Sequence, residues 1–305
     1  MNTTTATRQR TVGKLTSELK PTLKTVTKLT TEKVVMGMTI TPKMAEEMLK
    51  LNTCNRPVNQ RTVDYYVKQI KEGKWRLNGE CISFSNTNVL IDGQHRLLAI
   101  IKSGIAIQSD VRYGLEDDVF PTVNTGRIRQ SSDACAIADI ENYTHISAMV
   151  NFIINFTSGH IDQASRGYSH GSDKITNETV VEFSKKNNKS LEESRVYGYS
   201  TKLNDGTLKA KLLASLHYIF KRLKGAEDDA NEFFGRVGDG VGLTKDSPIY
   251  VLRKLLQADN KNTKHKMNPN HRIALICKAW NIYRKKGKCT RLTVDIIKDG
   301  FPKPL

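Results

Sequence analysis

The sequence predicts an α+β protein, and three patterns carry that expectation. Between residues 33 and 113, short runs rich in β-branched and alternating apolar residues are interleaved with helical periodicity. Beyond residue 140 apolar positions recur only at helical spacing, and the first 33 residues, with eleven threonines, show neither pattern. A chain of 305 residues at 38% hydrophobic composition can fill two domains of common size. The expected division is a disordered basic arm over 1–33, a mixed domain over 34–135 and a basic helical domain over 136–305.

Taken in order, residues 33–40 read as a strand, after which Thr41 caps and Pro42 opens a helix reaching about Leu51. In the polar loop that follows, Pro57 keeps Arg56 out of helical geometry and presents its guanidinium. Val63, Tyr66, Val67 and Ile70 recur at i, i+3, i+4, i+7 and define a second helix stopped at Gly73, with Trp75 as core cover. Residues 81–85 and 89–91 form a hairpin, 94–102 a helix ended by Gly104, and 105–113 another strand. Further on, Ile146, Met149, Val150, Ile153 and Ile154 make one apolar helix face, and Leu208, Leu212, Leu216 and Phe220 belong to another. The segment 158–176 reads as an exposed loop whose His160 and His170 lack the cysteine or carboxylate that would complete a metal-ligand spacing. The glycine-rich stretch 233–242 reads as a hinge or tight turn before a helix starting near Ser247 and Pro248, and Trp280 and Tyr283 mark a packed helix face.

The chemistry is expected at the charged turn Ile91-Asp92-Gly93-Gln94-His95-Arg96, between a strand and a helix. A helix start leaves backbone N–H groups without intrahelical partners and aims the positive end of the dipole at one spot, a combination that attracts phosphate. Asp92 either caps the turn or serves as a proton-accepting or metal-binding carboxylate, and His95 either hydrogen-bonds or shuttles a proton. Glu80, just before the hairpin, is either a solvated edge residue or a general base or magnesium ligand across from Asp92.

The formal charge of +17 is concentrated: residues 1–33 are net +5 and residues 253–291 net +11, with Asp259 the sole acid of the latter. DNA or RNA is the natural partner of such segments, because each phosphate contact releases condensed cations. The residues expected to hold it are Lys264, Lys266, Arg272, Lys278, Arg284, Lys285 and Lys286, with Arg127 and Arg129 beside Gly126 either a second clamp or ordinary surface arginines. A solvated surface or an acidic protein partner is the alternative. No stretch approaches the roughly 20 apolar residues of a bilayer span, and the amino end lacks an apolar leader core, so no membrane partner and a cytoplasmic location are expected. Five scattered cysteines without a Cys-x-x-Cys pair read as reduced thiols.

Asn55-Arg56-Pro57, Lys71-Glu72-Gly73-Lys74-Trp75 and Ile91-Asp92-Gly93-Gln94-His95-Arg96 together resemble the ParB/sulfiredoxin superfamily, specifically the DGQHR-containing branch of bacteriophage and prophage genomes. The likeness covers about residues 34–135 and continues more loosely through Gly240-Val241-Gly242-Leu243, 248–256 and Lys278-Ala279-Trp280-Asn281. It implies a ParB/sulfiredoxin-like domain with a phosphate or nucleotide cradle: Gly93 permitting close backbone approach, His95 and Arg96 on phosphate oxygens, Arg56 closing from the neighbouring loop and Asn55 orienting it. Gln94, also part of the cradle, stands where sulfiredoxins carry a catalytic cysteine, so sulfinic-acid reduction is not expected. No helix-turn-helix signature follows, which argues against chromosome segregation, and Asn124 stands where the branch usually has a carboxylate.

The leading expectation is a phage-type ParB-like DNA-associated protein that binds a nucleotide, as NTP with Mg2+, or a backbone phosphate at residues 92–96. From another class come an NTP-dependent phosphotransferase, NTPase or nuclease using Asp92, His95 and Glu80, and a non-catalytic regulator of host or phage proteins.

Overall fold

The computed structural model describes residues 32–123, 125, 129–166, 174–200 and 203–305, so the expected arm falls almost wholly outside them. Among the described residues the architecture is α+β, with twelve α-helices and one four-stranded mixed sheet. No helix among them is long and apolar enough to cross a membrane.

Two compact units divide the chain, one of residues 32–57 with 76–123, the other of 58–75 with the residues from 124 onward. The first contains β1 (Lys33–Ile40) and α1 (Pro42–Leu49). The chain then leaves it for α2 (Gln60–Lys71) and returns for β2 (Ile82–Ser85), β3 (Leu90–Asp92), α3 (Gln94–Ser103) and β4 (Ile107–Leu115). Sheet order is β1-β4-β2-β3, with β4 antiparallel to β1 and parallel to β2, and β2 antiparallel to β3. Thr41 caps α1 through its hydroxyl, which accepts the Met44 N–H at 3.2 Å, and left-handed Gly104 ends α3. Ile82, Phe84, Leu90, Leu97, Ile100 and Val111 are buried and make this unit's core.

The helix expected inside the mixed domain, α2, thus groups with the helical unit. Its Tyr65 ring lies 5.3 Å beneath the Lys174 ammonium, and Lys74 just beyond it feels Glu178 and Glu182, contacts that sequence periodicity does not encode.

The helical unit continues with α4 (Ser131–Ile137), α5 (Tyr143–Thr157), α6 (Ile161–Arg166), α7 (Asn177–Tyr199) and α8 (Ala210–Lys221). It is completed by α9 (Glu227–Asp239), α10 (Pro248–Lys261), α11 (Pro269–Arg284) and the short α12 (Ile296–Asp299). Two expectations change here. The loop expected over 158–176 contains α6, and the hinge expected over 233–242 is mostly α9, whose left-handed stop is Gly240. Of the two glycines inside α9, Gly238 answers to packing: a Cβ there would lie 1.8 Å from the Leu203 carbonyl oxygen, whereas one on Gly235 would meet nothing within 4 Å. Trp280 is fully buried against Phe220 and Phe233, and its indole N–H donates to the Leu305 carbonyl at 2.8 Å. It packs the core, as the spacing with Tyr283 suggested.

A buried polar chain joins three of these helices. His217 on α8 has one ring nitrogen 3.0 Å from the Ser194 hydroxyl on α7 and the other 3.0 Å from the Asn231 amide oxygen on α9, and it stacks on Tyr197. Burial holds its pKa down to about 4, from an ordinary value of 6.5. The unfolded chain therefore takes up this proton first, and stability contributed by neutral His217 is lost as pH falls from 6.5 towards 4. Between pH 7 and 4.5 the wild type should lose about 2–3 kcal/mol more than His217→Gln, read from urea unfolding at both pH values. Equal losses would remove this histidine as the acid-sensitive group.

A helix start tied to a neighbouring loop

The DGQHR turn is built at the corner from β3 into α3. Gly93 holds φ 110° and ψ −2°, and a Cβ there would meet the Ile82 side chain at 2.9 Å. Its glycine is therefore required by the backbone turn and by β2 lying against it, whereas the resemblance assigned it to a phosphate. Helical bonding begins with the Leu97 N–H donating to the Gly93 carbonyl at 2.9 Å, and no side chain caps the preceding amides.

Gln94, His95 and Arg96 are nearly enclosed, at 5%, 9% and 8% exposure, unusual for three polar residues in a first turn. Arg96 explains its own burial. One terminal nitrogen donates to the Glu80 carbonyl at 2.7 Å, and the other to the Cys81 carbonyl at 2.7 Å and to Asp92 Oδ2 at 2.8 Å. The guanidinium expected on a phosphate is thus used to clamp the entry of β2 to the end of β3. Asp92, expected as catalytic carboxylate, faces Arg96 with its side chain 25% exposed. The Glu80 contribution to the turn is its carbonyl, which also accepts from Ser109 Oγ at 3.5 Å, while the residue as a whole is exposed.

A chain of amides ties the turn to the loop before α2. Asn52 Nδ2 donates to Gln94 Oε1 at 2.7 Å, and Gln94 Nε2 donates to the Arg56 carbonyl at 3.1 Å. Asn55 Nδ2 donates to Asn52 Oδ1 and to the Leu90 carbonyl, both at 2.7 Å. Gln94 and Asn55 therefore position the loop, and Asn52, which sequence reasoning missed, is the link between them. Arg56 itself is exposed, as Pro57 suggested, and held beside the helix start by its own carbonyl. Burial, then the Arg56 charge, push the His95 pKa below its ordinary value, with Asp92 opposing. At neutral pH the imidazole is uncharged and lies within the field of both groups.

Of the nucleic-acid candidates, several are already engaged within the helical unit. Arg272 pairs with buried Asp259, and Lys266 donates to the Asp259 and Asn260 carbonyls at 2.8 Å. Lys278 donates to the Thr293 carbonyl at 2.6 Å, and Arg284 pairs with Asp229 while donating to the Gly225 carbonyl at 2.8 Å. These four cations close helix ends and loops within the unit. Lys264, Lys285, Lys286 and Arg129 are exposed; Arg127, Gly126 and Asn124 lie outside the described residues, as does His170. Among the described residues no three His, Cys, Asp or Glu side chains gather as a metal site. Compared with known proteins, the chain matches no family model, no curated protein and no solved structure.

Proposed function

We propose that the α3 turn binds a phosphate group, of a nucleotide or of a nucleic-acid backbone, and that the helical unit holds nucleic acid through its exposed lysines, in the manner of a phage-type ParB-like protein. The observation that carries this reading is an α-helix start without a side-chain cap, beside which the exposed Arg56 is tethered. Backbone amides and one guanidinium make an anion site in which Arg96 and Gln94 are positioning residues. Asp92 is paired with Arg96, so a nucleotide here would bring its magnesium on its own phosphates.

Calorimetric titration with ATP, CTP and sulfate tests the turn. The wild type should bind at least one, and Arg56→Ala should weaken it roughly tenfold, or about 1.4 kcal/mol. Absence of heat with all three would leave the turn as a structural corner. For the helical unit, DNA affinity should fall with salt, and Lys264→Ala, Lys285→Ala and Lys286→Ala should together flatten the log–log slope by about 0.9 per contact removed. A flat slope in the wild type ends that part of the proposal.

A second reading is favoured by His95 alone: an imidazole whose pKa burial and the Arg56 charge lower, against the pull of Asp92, can accept a proton from an attacking water or hydroxyl. Under it, magnesium-dependent NTP or DNA cleavage would be abolished by His95→Ala, and turnover that survives the change excludes it.

A further inference from the structure

Arg56 is exposed, yet after burial its charge is the next cause holding the His95 pKa down, so the guanidinium keeps close to the start of α3. A long side chain on a loop keeps such a place only where its backbone is anchored. The anchor lies just past α1. The Asn52 N–H donates to the Leu49 carbonyl at 3.0 Å, and the neighbouring Leu51 carbonyl accepts the Leu90 N–H of β3 at 2.9 Å, so the Asn52 backbone is fixed to a helix and next to a strand.

From that anchor the amides of the turn can run in one direction only. Backbone carbonyls accept and never donate. The Arg56 carbonyl therefore claims Gln94 Nε2, which leaves Gln94 Oε1 for Asn52 Nδ2 and Asn52 Oδ1 for Asn55 Nδ2, and the Leu90 carbonyl claims the same Asn55 nitrogen at the far end. With an acceptor at each end, turning over any one amide sets like atoms face to face, at a cost of about 1–3 kcal/mol for each group left unpaired. Asn52 is the middle member, and its backbone is held independently of Arg56. We infer that Asn52 is the positioning residue of the anion site, fixing the Arg56 guanidinium at the start of α3 through Gln94. The inference rests on the reading of this turn as an anion site. It assigns the affinity of that site to a residue whose own amide nitrogen and oxygen are already engaged.

Two measurements on the full chain test it. Asn52→Leu keeps the size of the side chain and breaks the amide chain at its centre; Gln94→Met breaks it one link later. An NMR titration of His95 reports the Arg56 charge without any ligand. Its pKa should rise in Arg56→Ala, rise to the same degree in Asn52→Leu and in Gln94→Met, and rise no further when Asn52→Leu and Arg56→Ala are combined. Calorimetry with sulfate should then show Asn52→Leu binding about tenfold more weakly, as Arg56→Ala does, and the double variant about tenfold rather than about a hundredfold below the wild type. Should Asn52→Leu not fold, Gln94→Met carries the same two measurements. A His95 pKa unmoved by breaking the chain, sulfate affinity unchanged by it, or losses that multiply in the double variant each overturn the inference while wild-type binding of sulfate leaves the anion site standing. No heat from the wild type with sulfate, ATP or CTP removes the anion site itself, and this inference with it.

Discussion

Arg96→Ala should destabilise the mixed unit by about 4 kcal/mol, measured by urea unfolding, in the absence of any ligand. The substitution leaves the Glu80 and Cys81 carbonyls and the Asp92 carboxylate without the fork that joins them, at a position only 8% exposed. Lysine should not rescue it, because a single ammonium cannot reproduce three bonds from two nitrogens of one plane. Exposed Arg56→Ala should cost under about 0.5 kcal/mol while acting on anion binding. That opposition separates the two arginines of the turn. If Arg96→Ala unfolds like the wild type, the clamp contributes nothing and the residue returns to the list of ligand contacts.

Gly238→Ala should cost about 4 kcal/mol as well, although alanine normally improves a helix interior by about 1 kcal/mol. The reason is a single approach: the Leu203 carbonyl oxygen occupies the place of the new Cβ, and the Gly238 carbonyl in turn accepts the Asp205 N–H at 2.9 Å. Arg253 reinforces this seam by donating to the Val237 carbonyl and pairing with Asp205 at 2.5 Å. The added methyl must push backbone from backbone, which cannot be relieved by a rotamer change. A thermal midpoint at or above that of the wild type would show that the seam opens freely.

Where local chemistry decides a boundary, the sequence is a reliable guide. The strand 33–40, the Thr41 cap with Pro42 behind it, and the Gly104 stop all fall where turn and cap rules put them. The corner at Asp92 and Gly93 was likewise legible as a strand passing into a helix. What escaped are decisions taken by distant residues. Gly238 reads as a hinge unless Leu203 is seen against it, and Gln94 reads as a cradle residue unless Asn52 and Arg56 are seen on either side. The charge run 253–291 shows net charge and conceals its partners, Asp259 and Asp229 among them, which hold Arg272 and Arg284. Composition counts cations; only tertiary geometry says which remain available to a polyanion.

The excursion of residues 58–75 into the helical unit has a consequence for how the molecule comes apart and comes together. A protease cut after Val123 liberates no self-sufficient fragment, since the early piece would carry α2 stripped of its companions and the late piece would lack it. On the ribosome, likewise, that helix emerges long before the segment bearing Lys174 has been made, so its docking waits on synthesis far downstream.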